Sequence, residues 1–165
     1  MATREACRHL LTELEGIVGV RRGLAKAVPP GSLPPGSAVL FVLGRSAEPL
    51  RAGRVAELLD LDMSVVSRHL AHLVEHGWVA RRPDPRDGRS VLLGLTPEGR
   101  AVVDRATESC LAVIAERLAD WPDEDAERLS ELLGRLKAGF GVHAGFGGKA
   151  GFGHRAEPVP TAVSH

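Results

Sequence analysis

Ser64, Ser67, Arg68 and His72 follow the spacing i, i+3, i+4, i+8, which gathers side chains on one face of an α-helix. Together with Val65 beside them, they offer two hydroxyls, one guanidinium, one imidazole and a small apolar surface. The major groove of B-DNA admits a single α-helix, so residues that read base edges must share such an exposed face. Arg68 has the fork to span O6 and N7 of a guanine, or to pair with a phosphate. A second basic set, Arg81, Arg82, Arg86 and Arg89 with Asp87 among them, follows within twenty residues. Arginines at a hairpin tip suit a narrow minor groove, where negative potential is concentrated. Asp87, two positions before Arg89, is expected to hold that guanidinium in place by a paired contact. Charge alone does not decide the matter. Residues 64–89 carry five Arg against Glu75, Asp84 and Asp87, so 5 − 3 leaves only +2, and a solvated surface loop would look the same. The order of the elements around these residues points to DNA.

Those elements can be read from periodicity and punctuation. Arg4 to Val28 reads as a helix with Leu10, Leu14, Ile17 and Leu24 on one stripe. The run Pro29–Gly36 breaks it. Ser37 to Arg45 is almost wholly apolar and is expected to be a buried helix, with a break at Glu48-Pro49 before a further helix over Arg54 to Leu59. After the turn at Asp60-Leu61-Asp62, Ser64 is the expected N-cap of a helix reaching His76, with Val66, Leu70, Leu73 and Val74 inward and Gly77 as its stop. Trp78–Arg81 and Ser90–Leu95 are the expected hairpin arms, with Pro83, Pro85 and Gly88 forcing a loop between them. Thr96-Pro97-Glu98 opens a helix with a hydroxyl cap, a proline and an acid near the positive dipole end. It runs to about Ala119. Trp121-Pro122 interrupts, and Leu129, Leu132, Leu133 and Leu136 mark a last amphipathic helix.

The expected fold is therefore mostly α with a small β-hairpin wing (α+β), a winged helix-turn-helix flanked by helices. Residues 1–35 supply an N-terminal dimerisation helix and linker, 36–100 the DNA-binding domain, 97–138 C-terminal dimerisation helices, and 139–165 a tail. The tail carries Ala-Gly-Phe-Gly three times, at Ala138, Ala144 and Ala150. Three Phe cannot repay the entropy of ordering so many glycines, so disorder is expected there.

Bulk properties narrow the function. The 165 residues have zero formal net charge, which counts against a nonspecific polyanion binder, since such proteins carry a large positive excess. Arg outnumbers Lys 18 to 3, and only four Phe and two Trp accompany the aliphatic residues. No apolar run approaches the roughly 18 residues that span a bilayer, and the N-terminus lacks the apolar stretch of a signal peptide. A cytoplasmic protein without membrane contact is expected. No glycine-rich phosphate loop, nucleophile elbow or inward carboxylate pair is present, so neither an enzyme nor a cofactor is expected.

The segment Val66-Ser67-Arg68-His69-Leu70, Leu73, Gly77-Trp78-Val79, Arg81, Asp84, Asp87-Gly88-Arg89 and Leu95-Thr96-Pro97-Glu98-Gly99 resembles the MarR family of bacterial transcription regulators over about residues 36–100. The flanking helices agree in layout alone. The resemblance implies a homodimer whose terminal helices intertwine and whose two winged lobes read double-stranded DNA as a pseudo-palindrome. It also implies repression by operator occupancy, relieved by a small-molecule effector. Ser67 and Arg68 would then be major-groove residues, and Asp87 with Arg89 the salt-bridged minor-groove pair. The tail has no counterpart in the family pattern.

Two further sensor chemistries deserve weighing. Cys7 and Cys110 lie 103 positions apart, which is neither a disulfide framework nor a zinc motif. A thiol redox sensor is the reading they would support. It needs positive charge beside the thiolate, which Arg4, Arg8 and His9 offer Cys7, and incidental cysteines are the plainer expectation. His69, His72 and His76 stand at spacings of three and four. Glu75 is expected to point elsewhere, so DNA-facing or solvated histidines are expected and no metal site. The rival of a different class is a winged-helix protein-interaction module that has lost specific DNA binding.

Overall fold

The computed structural model describes residues 1–142. They fall into two compact units, one of Met1–Leu33 with Ala106–Asp120, the other of Pro34–Arg105 with the residues from Trp121 on. Most of the tail expected over 139–165 lies outside the described residues.

The first unit contains α1 (Arg4–Ala27), whose N-cap Thr3 accepts the Ala6 N–H through its hydroxyl. No residue of α1 is buried. Leu14 and Leu24 are half-buried, whereas Leu10, Leu11, Ile17 and Val18 are exposed in the single chain.

The second unit is the winged module. It begins with α2 (Ser37–Arg45), then the two-residue strand β1 (Leu50–Arg51), α3 (Ala52–Leu59) and α4 (Met63–Glu75). β2 (Val79–Asp84) and β3 (Asp87–Leu95) follow, and α5 (Pro97–Arg117) starts directly after them. The last helix, α6 (Asp123–Gly139), has no buried residue, and Leu129 and Leu132 on it are exposed. Among the described residues no helix is long and apolar enough to cross a membrane.

The core explains the pattern of apolar residues. Val39, Leu40, Val42 and Leu43 of α2 meet Val55 of α3, Val66, Leu70 and Leu73 of α4, and Val79, Leu93 and Leu95 of the sheet. Leu73 has no exposed surface, so its truncation to alanine would cost about 2–5 kcal/mol. α2 is buried on most of its surface, which is why its sequence shows no clear period.

The three strands are antiparallel in the order β1-β3-β2. Leu50 pairs with Leu93 and Arg51 with Leu92 on one side of β3, while Val79 pairs with Leu95 and Pro83 with Val91 on the other. The strand β1 was not expected from the sequence. Two residues beside a proline give no alternation to read, and the strand exists because β3 offers it a free edge.

Three further expectations are corrected. The N-cap of α4 is Asp62 rather than Ser64, and α4 begins at Met63. The helix α3 starts at Ala52, two residues earlier than expected. The hairpin arms are longer than Trp78–Arg81 and Ser90–Leu95, and their link is the two-residue turn Pro85-Arg86, with Pro83 and Gly88 inside the strands.

Gly77, by contrast, sits where expected. It follows the C-cap His76 with φ of +71°, a left-handed conformation that a glycine adopts without strain.

Candidate nucleic-acid interface

The helix α4 presents its polar face because its apolar face is anchored. With Val66, Leu70 and Leu73 buried, Ser64, Ser67 and Arg68 are exposed, and Val65 and His72 are half-buried beside them. The helix thus gathers all five residues expected to meet DNA. His69 does not join them. It is half-buried and lies against Gly36 at the start of α2, where a Cβ on that glycine would sit 3.3 Å from the His69 Cβ.

The hairpin places Arg81, Arg82, Arg86 and Arg89 at the surface. Its tip is built by two aspartates. Asp84 accepts the Arg86 N–H at 2.9 Å through Oδ1, closing the turn over Pro85. Asp87 accepts the Arg89 N–H at 3.2 Å and the Ser90 hydroxyl at 2.6 Å. The register shifts between Pro83, opposite Val91, and Asp84, opposite Asp87. Gly88, Arg89 and Ser90 therefore bulge on the β3 side, and Arg89 sits on that bulge. Bulges of this kind re-aim a side chain away from the ladder.

The expected salt bridge between Asp87 and Arg89 is not formed. Asp87 fixes Arg89 through the backbone, and the guanidinium near the Asp87 carboxylate, at 3.6 Å, is that of Arg51. Arg51 is the residue that sequence reasoning missed. Its Nε and Nη2 donate to Oδ2 of Asp84 at 3.0 and 2.6 Å. The Asp84 side chain is 7% exposed, so the tip-proximal end of the wing holds a shielded carboxylate paired with a cation from β1. The Arg86 backbone N–H and then the Arg51 guanidinium hold the Asp84 carboxyl below the usual carboxylate range. Asp87 is lowered too, first by the Ser90 hydroxyl and then by the Arg89 N–H. No local signal in the sequence could link Arg51 to Asp84, because the contact spans 33 positions.

Where the wing ends, Thr96 joins three elements. Its hydroxyl donates to the Gly77 carbonyl at 2.7 Å and accepts the Gly99 N–H at 3.0 Å, while its own N–H donates to the Trp78 carbonyl. The expected capping role at the start of α5 is thus present. Arg100, one turn into α5, donates to the Gly44 carbonyl of α2 at 2.7 Å.

One further cluster lies at the C-terminal end of α4. One donor atom each from His72, Glu75 and His76 falls within 4.8 Å of the others. The expectation that Glu75 points away from the histidines is therefore corrected. Trp78 borders the group, with its ring 4.9 Å from that of His76 and edge-on to that of His72. Of the cysteines, Cys7 is exposed and Cys110 half-buried, and burial pushes the Cys110 thiol up.

Helices α3 and α4 joined by a tight turn, a core-anchored second helix with a polar outer face, and a basic hairpin beyond it define a winged helix-turn-helix module. The sequence model of the MarR family matches residues 34–90. The uncharacterized HTH-type transcriptional regulator YwoH of Bacillus subtilis is 34% identical over 94 residues, which cover 57% of this chain and 67% of that protein. A second regulator of B. subtilis, YxaD, is 32% identical over 56% of this chain and 64% of its own length. Among solved structures, the PcaV transcriptional regulator of Streptomyces coelicolor, in complex with its natural ligand, superposes with a TM-score of 0.59. It is 25% identical, and the match covers 84% of this chain and 98% of that one. The chain belongs to the MarR family, whose members are DNA-binding transcriptional regulators rather than enzymes. It spans about 60–64% of the length of the first curated relatives it matches.

Proposed function

We propose that this protein is a cytoplasmic, homodimeric repressor that binds a pseudo-palindromic operator and leaves it when a small-molecule effector binds. The observation that carries the DNA reading is the exposed row Ser64, Ser67 and Arg68 on a helix whose opposite face is locked into the core. Arg68 reads a base edge and Ser64, Val65, Ser67 and His72 line the groove. Arg81, Arg82, Arg86 and Arg89 engage the backbone and a flanking minor groove, with Asp87 setting the Arg89 backbone. The apolar residues Leu10, Leu11, Ile17 and Val18 of α1 and Leu129 and Leu132 of α6, exposed in one chain, support pairing with a second copy. Two lobes would then meet half-sites about one helical turn, roughly 34–36 Å, apart. The effector rests on the likeness to PcaV, which was solved with its natural ligand.

Selection of fragmented genomic DNA on the purified protein tests the reading, with Arg89→Ala in parallel. A shared inverted repeat recovered by the wild type and lost by the variant is the expected result. If no sequence is enriched, and the weak binding that remains shows no steep fall with salt, the module is a protein-interaction platform instead, since phosphate contacts make the logarithm of the binding constant fall linearly with log salt.

A further inference from the structure

We propose that His72, Glu75 and His76 form a binding site for a divalent transition-metal ion of the zinc class. This goes beyond the DNA-binding reading and departs from the expectation of solvated histidines.

The helix supplies the spacing. Residues at i, i+3 and i+4 share one face, and here they carry two imidazoles and one carboxylate, the ligand types that borderline-soft divalent ions accept. One nitrogen of each imidazole and one Glu75 carboxylate oxygen already lie within 4.8 Å of one another. A tetrahedral ion with bonds of about 2.0–2.1 Å needs its ligands roughly 3.3 Å apart. Glu75 and His76 are exposed and His72 half-buried, so modest side-chain rotations close the gap.

The second observation concerns how His76 is held. Its Nδ1 lies 2.8 Å from the His72 backbone carbonyl. A carbonyl can only accept, so Nδ1 carries the hydrogen and the lone pair of a neutral ring is on Nε2. A backbone carbonyl on one ring nitrogen is the usual device that fixes the tautomer and orientation of a metal-binding histidine. Contact with the Trp78 ring further restricts His76. The surroundings suit a cation too. The group occupies the last turn of α4, where the helix dipole is negative, and Glu75 supplies a formal charge. Three protein ligands leave a fourth position for water or another small ligand.

His72 also lies on the face proposed to meet DNA. An ion that captures its imidazole removes it from the groove, so occupancy weakens DNA binding. This coupling rests on the repressor reading, whereas the site itself does not.

The site is tested first on the untagged full chain without DNA. Co2+ titration followed by visible absorption, and competition by Zn2+, are run on the wild type, Glu75→Gln, His76→Ala and His69→Ala, each checked for folding by circular dichroism. Expected are one ion per chain in the wild type and in His69→Ala, and affinity weaker by at least about 10-fold, the loss typical of an outer-shell partner alone, in the other two. No binding by the wild type, or equal affinity in wild type and folded His76→Ala, overturns the proposal. The coupling is read separately, as DNA affinity with Zn2+ or with chelator. It should fall with Zn2+ in the wild type and not in Glu75→Gln. Loss of this difference alone removes the coupling, and failure to bind any DNA counts against the repressor reading while the cobalt titration still decides the site.

Discussion

Arg51 and Asp84, 33 positions apart in sequence, join the strand β1 to the tip-proximal end of the wing through two hydrogen bonds onto a single carboxylate oxygen. A buried carboxylate is costly unless it is paired, so the wing holds its angle by satisfying Asp84.

Asp84→Asn should loosen the wing and lower the melting temperature in a pH-dependent way. The Asp84 carboxyl is held below its ordinary value by the Arg86 N–H and by Arg51. Its contribution is therefore fully present above the usual carboxylate range and is lost as pH falls through the lowered value. Melting curves of the two proteins should stay apart near neutrality and converge as pH drops below about 4. A gap that persists unchanged in acid would assign Asp84 no ionic role.

Arg68→Ala and Arg89→Ala should fail differently. Loss of Arg68 should cost roughly 1–3 kcal/mol at a matched site and much less at a mismatched one, if it reads a guanine. Loss of Arg89 should weaken both sites alike and reduce the salt slope by about one. Binding titrations at several salt concentrations separate the two, and equal losses for Arg68→Ala on both sites would show that it reads no base.

Gly99→Ala should be among the most damaging substitutions outside the core. A Cβ at Gly99 would run into the Trp78 carbonyl, which is backbone and cannot swing aside. A destabilisation of about 3 kcal/mol or more is expected. Thr96→Ala, which removes the cap without a clash, should cost about 0.5–2 kcal/mol. Urea unfolding of both variants checks the order, and a Gly99→Ala protein as stable as the wild type would mean that α5 can shift away from the wing.

Cys110 should be a poor redox sensor. Burial raises its pKa and so lowers the thiolate fraction that reacts. Mass spectrometry after peroxide treatment should find Cys110 as free thiol. Sulfenate or disulfide at Cys110 would revive the redox reading.

The structure also shows which features a sequence can reveal. The apolar stripe of α4, the stop at Gly77 and the start of α5 at Thr96-Pro97 were legible because each depends on residues within one or two turns. The wing was legible in outline from Pro85 and the flanking strands. Its register was not, because Pro83 and Gly88 read as loop residues although the sheet tolerates them at an edge and in a bulge. Contacts set by tertiary pairing left no local trace. Arg51 meets Asp84 only because β3 recruits β1, and on the bulge it is the backbone N–H of Arg89, rather than its guanidinium, that meets Asp87. At Glu75 the expectation failed for a simpler reason. Its angular offset from His72 is small enough for a flexible carboxylate to reach across.

The sheet has a consequence for the protein's behaviour in a crowded solution. Exposed strand edges invite other chains to pair with them. Here one outer strand, β1, is only two residues long, and the tip-ward part of β3 that it leaves uncovered carries the bulge at Gly88, Arg89 and Ser90. The other, β2, carries Pro83, which has no N–H to donate, together with the exposed cations Arg81 and Arg82. A second molecule finds no long flat ladder to extend on either side, so the same arginines that suit the wing to a polyanion also guard the sheet against aggregation.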